Sequence, residues 1–265
     1  MGGVTVLEDM DYVLFTRKVK EQLSLDLGNY KETQMKRRLT SLRLKRGFDT
    51  FASYFNAMIK DPVLLNEFKD RVTINVSEFW RNPNRWSVLE EKFIPELMGR
   101  SSRLKCWSAA CSTGEEPYTL AMILAERGAV NPDITATDID ETVLGKAQTG
   151  IYADRSVRDV PAAYLQKYFK KEDQNYQVMD SLKRMIKFRK GNLLLDRFDR
   201  DYDLIICRNV MIYFTEPAKQ DLYRRFSDAL RPGGLLFVGS TEQIFSPSQY
   251  GLETADSFFY RKLPV

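Results

Sequence analysis

From Leu104 onward the chain alternates strand-like and helix-like runs, and no other feature restricts its fold so tightly. Leu104-Lys105-Cys106-Trp107-Ser108 reads as a strand, Pro117 to Arg127 as a helix, Ile134-Thr135-Ala136-Thr137 as a strand and Glu141 to Gln148 as a helix. Tyr202-Asp203-Leu204-Ile205-Ile206-Cys207 has the pattern of a buried strand, and a helical stretch follows from Glu216 to Leu230. Arg231-Pro232-Gly233-Gly234 then turns the chain into Leu235-Leu236-Phe237-Val238. Strands separated by helices lie parallel, with helices covering both faces of the sheet. An α/β, Rossmann-like domain is therefore expected over 104–265, with Ser257-Phe258-Phe259-Tyr260 closing the sheet as an edge strand. Residues 165–190 interrupt the rhythm. Tyr168-Phe169, Tyr176-Gln177-Val178 and Met185-Ile186-Lys187-Phe188 are short β-prone pieces, and they predict a small inserted antiparallel β-subdomain.

Residues 8–76 carry no strand signal and read as four helices. Asp61-Pro62 is a helix start, with Asp as N-cap and Pro at the first helical position, and Leu65, Phe68 and Val72 follow at helical spacing. Asp49 is placed to cap a helix bearing Phe51, Tyr54, Phe55 and Met58, and Met35, Leu39 and Leu42 form an earlier stripe. The division expected is an all-α N-terminal domain over 1–76, a linker with a lead-in helix over 77–103, and the α/β domain beyond.

Among 265 residues there is no histidine, which removes imidazole acid–base catalysis, histidine triads and histidine-ligated zinc together. No metal is expected. Cys106, Cys111 and Cys207 are not spaced as CxxC, and each reads as a small buried hydrophobe. No apolar run approaches a membrane span and residues 1–30 lack a signal-peptide core, so the expected location is the cytoplasm. A net charge of +4 decides little; its distribution is more telling. Lys36, Arg37, Arg38, Arg43, Lys45 and Arg46 fall in eleven residues without an acid, and on a helix Lys36 shares a face with Arg43 and Arg38 with Lys45. Such a stretch is either a solvated face or a docking surface for something acidic.

The first strand runs into Ser108-Ala109-Ala110-Cys111-Ser112-Thr113-Gly114-Glu115-Glu116-Pro117, whose small residues let a ligand approach the backbone. In doubly wound folds this crevice binds nucleotides, and Asp138, at the end of the second strand, is placed for ribose hydroxyls. The turn lacks G-x-G-x-x-G, and Glu115 and Glu116 would repel a pyrophosphate at that helix N-terminus. S-adenosylmethionine, with an ammonium, a sulfonium, a ribose and no phosphate, suits it better. Glu115 is expected to complement the helix dipole and Glu116 to face the ligand.

Trp107 to Tyr118 as a whole resembles the signature of CheR-type chemotaxis receptor methyltransferases. So do Ala136-Thr137-Asp138-Ile139-Asp140, Asn192-Leu193-Leu194 and Cys207-Arg208-Asn209-Val210-Met211-Ile212-Tyr213-Phe214. Thr73-Ile74-Asn75-Val76-Ser77-Glu78-Phe79-Trp80-Arg81 is similar to the segment joining that family's two domains. The resemblance implies transfer of a methyl group from S-adenosylmethionine to glutamate side chains of chemoreceptors, leaving S-adenosylhomocysteine. It assigns cofactor contacts to Asn75, Ser77, Arg81, Glu116, Asp138, Asn192, Leu193, Asn209 and Val210, and places Arg81 and Tyr213 beside the methyl donor as candidate catalytic residues. Ser77 stands where the family often has Thr, and Asn82-Pro83-Asn84-Arg85-Trp86 lacks histidines common in relatives.

The resemblance also implies a partner for the basic helix: the acidic helical bundle of a membrane-bound receptor, to whose clusters a monomeric enzyme would be recruited. Some relatives grip a receptor's C-terminal peptide tether through a glycine-containing loop of the β-subdomain. Tyr168 to Lys190 has no glycine, which implies a tether-independent enzyme. Two alternatives stand beside this reading. A nucleic-acid methyltransferase could grip phosphates with the basic helix, but Arg208-Asn209-Val210-Met211 replaces the Asn/Asp-Pro-Pro-aromatic motif of the amine-methylating kind. A non-catalytic cofactor sensor is opposed by the intact set Arg81, Glu116, Asp138 and Asn209.

Overall fold

The computed structural model describes residues 2–73 and 77–264. The chain forms two compact units, one of Met1–Ile74 with Tyr213–Lys219, the other of Asn75–Ile212 with Gln220–Val265.

The first unit is built from α1 (Gly2–Leu23), α2 (Glu32–Lys45), α3 (Phe51–Met58) and α4 (Pro62–Thr73). Of the stripes expected from spacing, Met35, Leu39 and Leu42 on α2 and Phe68 and Val72 on α4 are buried, and Leu65 is half-buried. Phe15 of α1 packs against α3 and α4, its ring 5.0 Å from Phe51, 6.0 Å from Phe55 and 5.9 Å from Phe68. Asp61 accepts from Val63 N at 2.8 Å as the Asp-Pro start requires. The cap of α3 is Thr50 rather than Asp49, accepting from Ser53 N at 3.1 Å. Asp11, forty residues upstream of Phe51, takes two more orphan donors of that helix, Phe51 N at 2.6 Å and Ala52 N at 3.0 Å. Local sequence cannot show a cap supplied from another helix. Residues 213–219 join this unit through an antiparallel bridge between Tyr30 and Phe214 and bonds from Lys31 N to Tyr213 O and Thr215 N to Asn29 O, each 2.9 Å. The expected division, which kept 104–265 in one piece, is corrected there.

The second unit opens with α5 (Pro83–Val88), a π-helical turn (Leu89–Phe93) and α6 (Ile94–Arg100). Residues 77–103 are not a linker: Phe79, Trp86, Leu89, Phe93, Ile94 and Leu97 are all buried in this unit's core. There follow β1 (Lys105–Ala109), α7 (Glu115–Glu126), β2 (Asp133–Asp138), α8 (Glu141–Thr149), β3 (Ile151–Ala153), α9 (Ala162–Tyr168), β4 (Phe169–Glu172), β5 (Asn175–Val178), α10 (Asp180–Lys183) and β6 (Ile186–Lys190). The chain continues with β7 (Tyr202–Cys207), α11 (Glu216–Ala229), β8 (Leu230–Val238), β9 (Leu252–Asp256) and β10 (Phe259–Lys262). The main sheet has the order β6-β2-β1-β7-β8-β10-β9. Its first five strands are mutually parallel, as the alternation predicts for β2, β1, β7 and β8, and β10 and β9 are antiparallel.

Three expectations need correction. Met185 to Phe188 does not belong to the inserted sheet, because β6 pairs in parallel with β2 as an edge of the main one. The inserted sheet is β3-β5-β4 and therefore begins at Ile151, before residue 165. Phe259 and Tyr260 lie one strand inside the edge, which is β9. A short β-prone run carries no mark of which sheet it joins, and β3 is only three residues long.

Candidate functional site

The loops that leave the carboxyl ends of β1, β2, β6, β7 and β8 supply most of the crevice. After β1 the backbone takes left-handed conformations at Ala110 (φ 59°), Ser112 (φ 49°) and Gly114 (φ 96°). Side chains resist that region, so the turn must be held by its surroundings. Cys111 N donates to Thr137 O at 2.9 Å and Ser112 N to Asp138 Oδ2 at 2.8 Å. Gly114 is obligatory for a further reason, since a Cβ there would lie 2.8 Å from that of Ala147 on α8.

Asp138 is buried at 5 % exposure, with its second oxygen accepting from Asp140 N at 3.0 Å. Burial pushes its carboxyl up to about 6, against the pull of the Asp140 and Ser112 amides. Glu116 has a side chain only 13 % exposed; Ser108 Oγ donates to it at 2.8 Å and Arg208 Nη1 stands 3.9 Å away. Desolvation lifts it to about 7 although Arg208, Ser108 and Arg81 all favour its anion. Glu115 is more than a dipole complement, which corrects the expectation. It is buried, accepts from Thr113 Oγ1 at 2.7 and 2.9 Å, and bonds the Ser77 hydroxyl, its carboxyl raised chiefly by burial.

Two residues outside the expected set organise the rest. Arg208 follows β7 directly and is buried, its guanidinium 4.7 Å from the Phe237 ring and 5.3 Å from that of Trp86. Its Nη2 donates to Arg81 O at 2.7 Å and Asn82 Oδ1 at 3.0 Å, so one cation ties the Arg81 segment to the Glu116 turn. Glu242, after β8, accepts the backbone amides of Asn209 and Val210 at 2.6 and 2.9 Å. The sequence held one signal for each: an ionisable group placed just beyond a buried strand, where ligand crevices form.

Asn192 and Leu193 line a cavity of about 140 Å³ with Trp107, Thr137, Phe198 and Tyr202. Asn192 Oδ1 accepts from Leu194 N at 2.9 Å, and Arg225 of α11 donates to Leu193 O at 2.6 Å. Asn75 lies outside the described residues.

In the first unit Tyr213 is half-buried beneath Arg38, whose guanidinium lies 4.8 Å from its ring centroid. The basic residues of α2 divide. Lys36 and Arg43 share a face as their spacing predicts, but that face points at Tyr12 and Phe51, 5.6 and 4.8 Å from the two ring centroids. Arg43 is buried and donates to Phe48 O at 3.0 Å, so it is removed from the docking set. Lys36 pairs with Asp9, and Lys45 and Arg46 with Glu67 at 3.7 and 2.6 Å. Arg37, Lys45 and Arg46 are exposed and Arg38 half-buried.

The second unit's crevice can hold S-adenosylmethionine on its own chemistry. Its anionic groups, Glu116 and Asp138, suit an ammonium and a ribose diol, and Ser112 Oγ beside Asp138 is buried with no hydrogen-bond partner among the described residues.

Residues 75–258 match the family model described as "CheR methyltransferase, SAM binding domain", and 10–73 match "CheR methyltransferase, all-alpha domain". A chemotaxis protein methyltransferase of Listeria innocua is 46% identical over 256 residues, covering 96% of this chain and 98% of the relative. Its counterpart in Borreliella burgdorferi is 35% identical with 85% of each chain covered. The one in Escherichia coli is 31% identical, covering 90% of this chain and 86% of its own.

Proposed function

Since the chain belongs to the CheR methyltransferase family and is an S-adenosylmethionine-dependent methyltransferase of chemotaxis, we propose that it esterifies glutamate side chains on the cytoplasmic helical bundle of chemoreceptors. The observation that carries the reading is a pair of buried acids in one crevice: Glu116, with Arg208 3.9 Å away and Arg81 acting on it, and Asp138, held by the Ser112 and Asp140 amides. The bound donor supplies a methyl group on a sulfonium, activated for displacement. A glutamate carboxylate, with an ordinary pKa near ~4.3, is already an anion at neutral pH. With the donor held by Glu116 and Asp138, an oxygen of that carboxylate would form the new bond to carbon and the carbon–sulfur electron pair would leave on a neutral thioether. No base is needed before the step and no acid after it, which suits a chain without histidine.

The residues then have positioning to do, and placement can supply on the order of 7–11 kcal/mol of barrier reduction. Glu116 takes the ammonium and Asp138 the ribose diol. Ser77, Asn192, Leu193, Asn209 and Val210 complete the cofactor's contacts, and Asn75 is assigned with them by its motif. Arg81 orients the incoming carboxylate, and Tyr213 is proposed for the same task on the motif it belongs to. Exposed Arg37, Lys45 and Arg46, with half-buried Arg38, form the face of α2 that meets the acidic bundle. No helix of the described residues is long and apolar enough to cross a membrane, and recruitment to receptor clusters is assigned to that face. The enzyme acts as a monomer.

The test is transfer of labelled methyl from S-adenosylmethionine to purified receptor. Label released as methanol by mild base marks an ester; base-stable label would mark an N-methyl product and defeat the proposal.

A further inference from the structure

Four peptide N–H groups converge on one buried carboxylate at the end of the sheet. Glu242 Oε2 accepts from Asn209 N at 2.6 Å and Gly239 N at 2.8 Å, and Oε1 from Val210 N at 2.9 Å and Ile212 N at 3.3 Å. The side chain is 4 % exposed. Its donors come from the loops that follow two neighbouring parallel strands, β7 and β8. The fit leaves no slack, because a Cβ on Gly239 would stand 2.4 Å from Glu242 Oε2 and 2.9 Å from Asn209 N.

We propose that Glu242 is a positioning residue that sets the 209–212 loop in its cofactor-binding form before the cofactor arrives. The inference rests on the assignment of Asn209 and Val210 to that site. Asn209 is held at φ 61°, a conformation most side chains avoid. With its amide bonded to Glu242, its peptide cannot flip back without stranding a donor and a carboxylate oxygen inside the protein. Only a carboxylate meets the demand. Glutamine would turn an NH₂ group toward two of the four donors, and aspartate is one methylene too short to reach both loops. A loop fixed in advance spares the cofactor the cost of ordering it.

Calorimetry with S-adenosylhomocysteine on wild type, Glu242→Gln and Asn209→Ala provides the test, with amide hydrogen exchange on the cofactor-free wild type. The expected result is about a tenfold or greater loss of affinity in Glu242→Gln, with KM for S-adenosylmethionine raised and KM for receptor unmoved. In the wild type the amides of 209, 210, 212 and 239 should already be protected without cofactor. Rapid exchange of those four amides overturns the proposal even if the variant fails to fold. Wild-type affinity in Glu242→Gln, with Asn209→Ala impaired, overturns it alone. Wild-type affinity in Asn209→Ala removes the site assignment on which it stands.

Discussion

Glu116 rises to about 7 and Asp138 to about 6, in both cases chiefly because they are buried. Both stand above the unfolded values of carboxylates, so each contributes stability that is full in acid and lost as pH rises through its folded value. A cationic ligand reverses that penalty by pairing with Glu116, and the pH dependence of binding follows. Affinity for S-adenosylhomocysteine should be flat above pH 7.5, weaken by up to about tenfold per unit below 7, and steepen below 6 as Asp138 also protonates. Calorimetry in buffers of different ionisation enthalpy at pH 6.5 should register proton release on binding. A profile flat from pH 5.5 to 8 would detach both acids from the ligand. Arg81→Ala should lower turnover roughly 100-fold or more with the melting temperature kept, because its side chain is only half-buried. Unchanged turnover would remove Arg81 from the mechanism.

On α2 two roles share one helix. Arg43 lies over Phe51 inside the first unit, while Arg37, Lys45 and Arg46 face outward. Charge reversal at Arg37, Lys45 and Arg46 should raise KM for receptor several-fold and leave S-adenosylhomocysteine affinity unchanged. Arg43→Glu should instead destabilise the protein by about 3 kcal/mol or more through a buried uncompensated charge, read as a lost melting transition rather than a KM effect. Normal receptor methylation by the triple variant would return that face to ordinary solvation. In the inserted sheet, Glu172 pairs with Asn175 across a two-residue turn at Asp173 and Gln174, which leaves no loop to enclose a peptide. Titration with a receptor-tether peptide should give no binding, and micromolar binding would refute tether independence. Helix spacing in the sequence made it plain that Lys36 and Arg43 lie together. It did not tell which way they face, since a long cationic side chain can flank a core as readily as solvent.

Across the whole molecule, the legible part was the part written locally. The strand–helix alternation after Leu104 predicts four of the five parallel strands, β1, β2, β7 and β8, and the small-residue turn ending in Glu115 and Glu116 lies where the crevice is. What escaped depends on partners far apart in sequence. Residues 213–219 join the helical unit by pairing with Asn29, Tyr30 and Lys31, and residues 77–103 read as a linker until Trp86 and Phe93 are seen against Phe237 and Phe259. Arg208 and Glu242 escaped for the same reason, as their work is to join loops 126 and 33 residues away. The donor crevice is the claim on which the account turns, and side-by-side calorimetry of S-adenosylhomocysteine and ADP tests it most directly, on wild type and on Asp138→Asn. The account predicts that the thioether nucleoside binds, that Asp138→Asn weakens it about tenfold or more, and that ADP does not bind. Binding of ADP, or equal affinity of both proteins for S-adenosylhomocysteine, would contradict it.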